Sequence, residues 1–89
     1  MSRLENKLIE LGYKYVKRKN LWNKYKDYPI EIIIMYDLFE EKWDGWLSFN
    51  NFVISNIDSL NDCINITKTR YEELQKDLEV LKEYEKEKI

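Results

Sequence analysis

The amino-acid sequence predicts a single α+β domain over residues 1–89. We expect a short N-terminal helix, then an antiparallel β-meander of three to five strands, and then a long C-terminal helix packed on the sheet. A chain of 89 residues is long enough for one hydrophobic core but too short for two domains. Apolar residues recur with a period of two in the middle of the chain, and with a period near three and a half in its last third.

Residues 2–11 have the pattern of an amphipathic helix. Ser2 and Glu5 are three residues apart and fit a capping box at its start, and Gly12 follows the helix as a C-cap glycine. The apolar stripe along one side consists of Leu4, Leu8 and Leu11, widened by Ile9. A helix of about ten residues is marginal in water on its own, so we expect this one to pack on the rest of the domain.

Four strands are predicted between the two helices. Residues 13–19 and 21–27 alternate between apolar and polar side chains, which is typical of strands with one face in water. Residues 30–36 are a nearly continuous run of isoleucines and predict a central strand. An acidic turn at residues 37–42 precedes a fourth strand over residues 43–54, which either continues or turns back at its asparagines.

The last third of the chain predicts one helix over residues 57–86, because no glycine or proline interrupts it. Its apolar positions are spaced alternately by three and four residues, which is an a/d heptad pattern. They are Ile57, Leu60, Ile64, Tyr71, Leu74, Leu78 and Leu81, and Thr67 is the one polar residue in this register. A helix of about 30 residues spans about 45 Å, whereas a seven-residue strand spans about 23 Å. We therefore expect the sheet to leave the C-terminal leucines of the helix uncovered.

This uncovered stripe predicts a protein interface. Its candidate residues are Ile64, Tyr71, Leu74, Leu78 and Leu81. Two occupants fit the stripe: a second copy of the chain, which makes a homodimer through the C-terminal helix, or a host protein. The alternative is that the helix lies across one face of the sheet and that its charged end frays, in which case no partner is needed.

The first predicted hairpin combines basic and aromatic residues and suggests a second kind of partner. In many proteins that hold single-stranded nucleic acid, cations contact the phosphates and rings stack on the bases. The candidate residues for nucleic-acid or nucleotide binding are Lys14, Lys17, Arg18, Lys19, Trp22, Lys24 and Tyr25. The alternative is a sheet with lysines on its wet face and at its edges. The overall excess of acidic residues, 17 against 15 basic ones, disfavours nucleic acid.

No catalytic set and no cofactor site is recognisable in the sequence. The chain has no histidine, which is the commonest general base and a frequent metal ligand. Its one cysteine, Cys63, has no histidine to activate it and fits a small buried hydrophobe better. The acidic residues Glu40, Glu41 and Asp44 fit a solvated turn better than a metal site. We therefore expect a protein that is not an enzyme and that uses no cofactor.

The sequence also predicts a cytoplasmic protein. No segment approaches the roughly 20 apolar residues that are needed to cross a bilayer. The N-terminal residues are polar and lack the apolar run of a signal peptide. The single cysteine cannot form an internal disulfide, which fits a reducing compartment.

Two segments carry a resemblance to a group of proteins. The opening Leu4–Tyr13 (LENKLIELGY) and the tail Tyr71–Tyr84 (YEELQKDLEVLKEY) are similar to the starts and tails of small, mostly uncharacterised proteins encoded by phages and prophages of AT-rich bacteria. The resemblance implies a phage or mobile-element accessory protein in the cytoplasm of the bacterial host. Many such proteins bind and block a host-defence protein, as anti-CRISPR proteins do, so it also implies an inhibitor of that kind. It carries no functional residue over to this chain.

Overall fold

Two helices flank a four-stranded sheet in the computed structural model, which describes residues 3–26, 28–49 and 57–84. In chain order the elements are α1 (Arg3–Glu10), β1 (Lys14–Val16), β2 (Leu21–Lys24), β3 (Ile30–Asp37), β4 (Lys42–Phe49) and α2 (Ile57–Lys82). The strand order is β1-β2-β3-β4, and each neighbouring pair is antiparallel. The predicted α+β fold with a β-meander is confirmed.

The register of the sheet decides which side chains face the helices. Ile34 on β3 lies opposite Trp22 on β2 and Gly45 on β4, and directly opposite residues share a face of a sheet. Alternate residues of β3, namely Ile30, Ile32 and Ile34, are fully buried on this face. Both helices pack on it, and no other described element covers the opposite face.

The first hairpin has shorter strands than the sequence predicts. β1 and β2 occupy only parts of the predicted ranges 13–19 and 21–27. Residues 17–20 form the turn, in which Asn20 has a φ of 53°, and Tyr25 has a φ of 65° just beyond β2. Both angles lie in the left-handed region, which interrupts the alternation of a strand. The predicted ranges leave Asn20 between the two strands, so the break there was expected, but the sequence pattern did not reveal the interruption at Tyr25.

Parts of several predicted elements lie outside the described residues. They are residue 2, residue 27, residues 50–54 and residues 85–86. Within the described part, α2 ends at Lys82 and passes into a turn. In this turn the N–H groups of Glu83 and Tyr84 donate to the carbonyl oxygens of Val80 and Leu81 at 3.3 and 3.0 Å.

The hydrophobic core lies between the sheet and both helices. It consists of Leu4, Leu8, Tyr13, Ile32, Ile34, Trp43, Leu74 and Leu81. α1 lies beside the C-terminal part of α2, where the guanidinium carbon of Arg3 is 5.8 Å from the ring centre of Tyr84. The eight-residue α1 is too short to be stable alone, so these contacts hold it in place.

The C-terminal half of α2 lies on the sheet, and its N-terminal half extends past the sheet. Nε of Arg70 donates to the carbonyl oxygen of Ile30 at 3.1 Å, which places Arg70 at the first residue of β3. Leu74 then lies over Gly45. A 26-residue helix spans about 39 Å, whereas an eight-residue strand spans about 27 Å. The residues that precede Arg70 therefore reach beyond the sheet, which is the opposite half from the one predicted.

Candidate functional site

A cluster of charged and phenolic side chains lies between the sheet and α2. The hydroxyl of Tyr13 donates to Oδ2 of Asp77 at 2.7 Å. Nζ of Lys24 forms one ion pair with Glu73 at 2.5 Å and another with Asp77 at 3.5 Å. Asp77 is only 5% exposed, and a buried carboxylate is tolerated only when it is paired and hydrogen-bonded. These contacts therefore satisfy a buried charge on α2.

Tyr25 and Arg70 complete this polar cluster at its outer edge. The hydroxyl of Tyr25 donates to both carboxylate oxygens of Glu73 at 2.9 Å. The guanidinium carbon of Arg70 lies 3.5 Å from the ring centre of Tyr25, which is within cation–π distance. The polar cluster thus joins the first hairpin to α2.

The combined effect of burial and mutual contact shifts the pKa values of Tyr13, Lys24 and Glu73 away from neutrality. Burial raises the pKa of the Tyr13 phenol, and the hydrogen bond to Asp77 raises it further. Burial acts to raise the pKa of Glu73, but hydrogen bonds from Lys24 and Tyr25 outweigh it and hold that pKa below its ordinary value of 4.5. Burial acts to lower the pKa of Lys24, but Glu73 and Asp77 outweigh it and raise that pKa. None of these shifts brings a group towards the neutral pKa that suits a general base.

The seven residues predicted for nucleic-acid binding do not form one surface. Lys24 and Tyr25 are held in the polar cluster, and Trp22 lies on the helix side of the sheet. Lys14 is opposite Asn23 on the other face. The exposed cations that remain are Lys14, Lys17, Arg18 and Lys19. The structure therefore separates the rings from most of the cations.

Three of the five residues predicted for the helix interface belong to the core of one copy of the chain. Leu74 and Leu81 are 3% and 0% exposed, and Leu78 packs against the same core cluster. The expectation that these leucines lack cover is wrong, because α1 lies beside α2 and completes the cover that the sheet begins. Ile64 and Tyr71, the other two predicted residues, remain exposed.

An exposed apolar strip does exist on α2, nearer its N-terminus. Leu60, Ile64 and Tyr71 are 42%, 58% and 56% exposed. At 3.6 residues per turn, these three positions fall within about 40° of one another around the helix axis. They lie on the side of α2 that points away from the polar cluster. We call these three residues the α2 flank.

The face of the sheet opposite the helices carries a second apolar surface. Trp46 is paired with Ile33 on this face and is 43% exposed, and Ile33, Leu21 and Met35 are half-buried. The other tryptophan of β4, Trp43, is buried on the helix side. Of the two tryptophans on β4, one therefore belongs to the core and the other to the surface of the sheet.

Both hairpin turns lie at the same end of the sheet, because β2 and β3 are antiparallel neighbours. The β1–β2 turn at residues 17–20 is basic, and the β3–β4 turn at residues 38–41 is acidic. We call this part of the molecule the hairpin end. Among the described ion pairs, none joins the basic turn to the acidic turn.

Phe39 is completely exposed at the tip of the acidic turn, and its neighbour Leu38 is 79% exposed. Oδ1 of Asp37 accepts hydrogen bonds from the N–H groups of Phe39 at 2.9 Å and Glu40 at 3.2 Å. Such a side-chain cap fixes the backbone of a turn. The sequence predicted the acidic turn but not an exposed ring. An apolar pair that directly follows an aspartate and directly precedes two glutamates is the pattern that indicates it.

A small cavity opens between the two turns at the hairpin end. It is lined by Asn20, Trp22, Tyr36, Leu38 and Trp43 and has a volume of about 100 Å³. Pockets that hold cofactors and other small molecules usually measure about 300–1,000 Å³. The cavity is therefore too small for a nucleotide and is nearer the size of one side chain.

No family model, curated protein or solved structure matches the chain. Among residues 3–26, 28–49 and 57–84, no three metal-ligating side chains group together. In the same part of the chain, no helix has the length and apolar character that a membrane span requires.

Proposed function

We propose that the chain is a non-enzymatic protein-binding domain and that the α2 flank is its contact surface. The observation that carries this proposal is the exposure of Leu60, Ile64 and Tyr71 on one side of a helix. Because these side chains are about half exposed, covering the rest of each would gain about half of the 1.5–3 kcal/mol that full burial of a large apolar side chain contributes. Apolar residues on one side of a rigid helix are the usual anchors when a helix docks into a groove of another protein.

The polar cluster supports a structural role rather than a catalytic one. Tyr13, Lys24, Glu73 and Asp77 use their charged and polar atoms on one another. The pKa shifts of Tyr13, Lys24 and Glu73 favour the protonation states that these contacts need. A general acid or base needs a pKa near the working pH and access to a substrate, and this arrangement favours neither.

The proposed partner is a host protein, and the proposed setting is the cytoplasm of a bacterium that carries a phage or mobile element. The resemblance of residues 4–13 and 71–84 to phage-encoded accessory proteins supports this setting. Leu74 and Leu81, in the second segment, are core residues, so the likeness there concerns the fold more than the contact surface. In this setting the domain acts as an anti-CRISPR-like inhibitor that covers a surface of a host-defence protein.

Affinity capture from a lysate of a bacterial host, with mass spectrometry of the captured proteins, tests the α2 flank. We expect the variant Ile64→Glu with Tyr71→Glu to lose the partner, because two buried charges would be left unpaired in the interface. The matched control is Asn65→Glu with Thr69→Glu. It adds the same charge at exposed positions on the other side of α2, and we expect it to keep the partner.

The mass of the purified chain in solution shows whether the α2 flank binds a second copy of the chain or a different protein. A dimer that becomes a monomer in the Ile64→Glu, Tyr71→Glu variant would identify the predicted homodimer through the C-terminal helix. A captured protein that binds this variant and the wild type equally well would rule out the α2 flank as its contact surface. The variant Trp46→Glu then tests the opposite face of the sheet as the site.

Nucleic-acid binding remains a second candidate function. It is supported by the four exposed cations of the first hairpin, and it no longer relies on Trp22, Lys24 or Tyr25. Phosphate contacts of this kind weaken steeply with salt. We expect a single-stranded oligonucleotide to bind the wild type at low salt and to lose affinity in Lys17→Glu with Arg18→Glu. The absence of any binding at low salt would remove this candidate.

A further inference from the structure

Phe39 is apolar and aromatic, and so is most of the lining of the cavity at the hairpin end. Phe39 is a fully exposed ring on a turn that Asp37 fixes. The cavity, about 100 Å³ in volume, is lined by three aromatic rings and Leu38. Leu38 lines the cavity and is the direct neighbour of Phe39, so the ring and the cavity share one surface. Within one copy, the complete exposure of Phe39 shows that its ring does not fill the cavity.

The charges of the hairpin end are complementary as well. Lys17, Arg18 and Lys19 are exposed on the basic turn, and Glu40 and Glu41 are exposed on the acidic turn. The turns stand side by side, because Asn20 from one and Leu38 from the other line the same cavity. When two such ends face each other about a two-fold axis, each basic turn meets an acidic turn and each contact occurs twice.

We propose that two copies of the chain associate head to head through the hairpin end, with Phe39 of each copy inserted into the cavity of the other. The basic turn of each copy then faces the acidic turn of its partner. Because the backbone of Phe39 is already held by Asp37, little further ordering of the turn is needed on association. This interface is separate from the α2 flank and does not rely on it.

Sedimentation velocity over a concentration series at low and high salt tests the interface. We expect the wild type to form a dimer whose dissociation constant rises with salt. The variant Phe39→Ala should weaken the dimer at least tenfold, since a ring at the centre of a small interface is a typical hot spot. Phe39 is fully exposed in one copy, so this variant should unfold at the wild-type temperature, which circular dichroism checks.

A charge exchange makes the test specific. Variant A carries Lys17→Glu, Arg18→Glu and Lys19→Glu, and variant B carries Glu40→Lys and Glu41→Lys. Neither variant should self-associate, because each presents turns of one sign, but an equimolar mixture of A and B should form a dimer. The control Lys68→Glu with Lys76→Glu reverses two exposed cations of α2 and should leave the wild-type dimer unchanged.

Three results would overturn the head-to-head interface. One is a wild type that stays monomeric at every concentration at low salt. Another is a dimer that is unaffected by Phe39→Ala or by the charge exchange. The third is a dimer that is lost in Ile64→Glu with Tyr71→Glu, because the second copy would then sit on the α2 flank. Capture of a host protein through the α2 flank is measured in a separate experiment, so either proposal can be wrong while the other is right.

Discussion

Gly45 on β4 lies directly under Leu74 of α2, and a methyl group at Gly45 would stand 2.7 Å from Cδ1 of that leucine. The same methyl group would be 2.9 Å from the carbonyl oxygen of Ile33. Real Cβ atoms do not approach other heavy atoms so closely. The glycine therefore sets how near α2 can come to the sheet.

We expect Gly45→Ala to lower the free energy of unfolding by about 1–3 kcal/mol, because the added methyl group overpacks the space beneath α2. Urea denaturation measures the change. Ser48→Ala, on the same strand but the opposite face, should stay within about 0.5 kcal/mol of the wild type. Combining Gly45→Ala with Leu74→Val should cost less than the sum of the two single changes. An unchanged midpoint for Gly45→Ala would contradict the close approach.

Shortening a side chain to alanine should change the free energy of unfolding very differently at the two ends of the apolar stripe of α2. Leu81→Ala removes a fully buried side chain and should cost about 2–5 kcal/mol of unfolding free energy. Ile64→Ala trims an exposed side chain and should change stability by less than about 0.5 kcal/mol. Thermal or urea unfolding of the purified monomer distinguishes them. Equal losses for both variants would mean that α2 lies on the sheet differently.

The hydrogen bond between Tyr13 and Asp77 should contribute measurably to stability. Tyr13→Phe removes a donor to a buried carboxylate, and hydrogen bonds to charged groups are worth about 1.5–3 kcal/mol. Tyr15→Phe is the matched control, because its hydroxyl donates to Oδ1 of Asn20 at 2.8 Å on the exposed surface. We expect the control to cost less than about 0.5 kcal/mol. Chemical denaturation of both variants at neutral pH gives the comparison.

Glu73 should make the fold sensitive to acid. Its pKa is lower in the folded protein than the ordinary value of 4.5, so the unfolded chain binds the proton more tightly. The stability that Glu73 contributes is therefore complete above pH 4.5 and is lost as the pH falls through the lowered pKa. The stability difference between the wild type and Glu73→Gln, measured by urea denaturation, should shrink as the pH falls below 4.5. A difference that is constant with pH would contradict this assignment.

The type and order of the elements could be predicted because they follow from periodicity alone. The isoleucine run of β3 and the heptad pattern of α2, which is interrupted only at Thr67, are long and consistent signals. The end of the first hairpin could not be predicted in this way. It depends on the left-handed backbone angle of Tyr25, and tyrosine rarely adopts such an angle.

The location of the exposed part of α2 could not be predicted from the stripe, because the stripe does not say where α1 lies. The apolar pattern continues from Leu60 to Leu81, but α1 covers only its C-terminal end. A second signal was present in the sequence. Arg70, Glu73 and Asp77 recur at helical spacing beside the stripe, and all three contact the sheet or the first hairpin. Charged residues at such spacing can therefore lie on the face of a helix that packs against the protein as well as on its solvent-exposed face.

Asp77 also fixes the position of α2 along its own axis. Leu74 and Leu81 are seven residues apart, so a slide of the helix by two turns still leaves a leucine at one of the two positions and only partly disrupts the apolar contacts. Such a slide would carry the Asp77 carboxylate about 10 Å away from the hydroxyl of Tyr13 and from Lys24, and it would leave ions in the interior without counter-charges. The acidic residue therefore makes one alignment of helix and sheet far more stable than its nearest competitor.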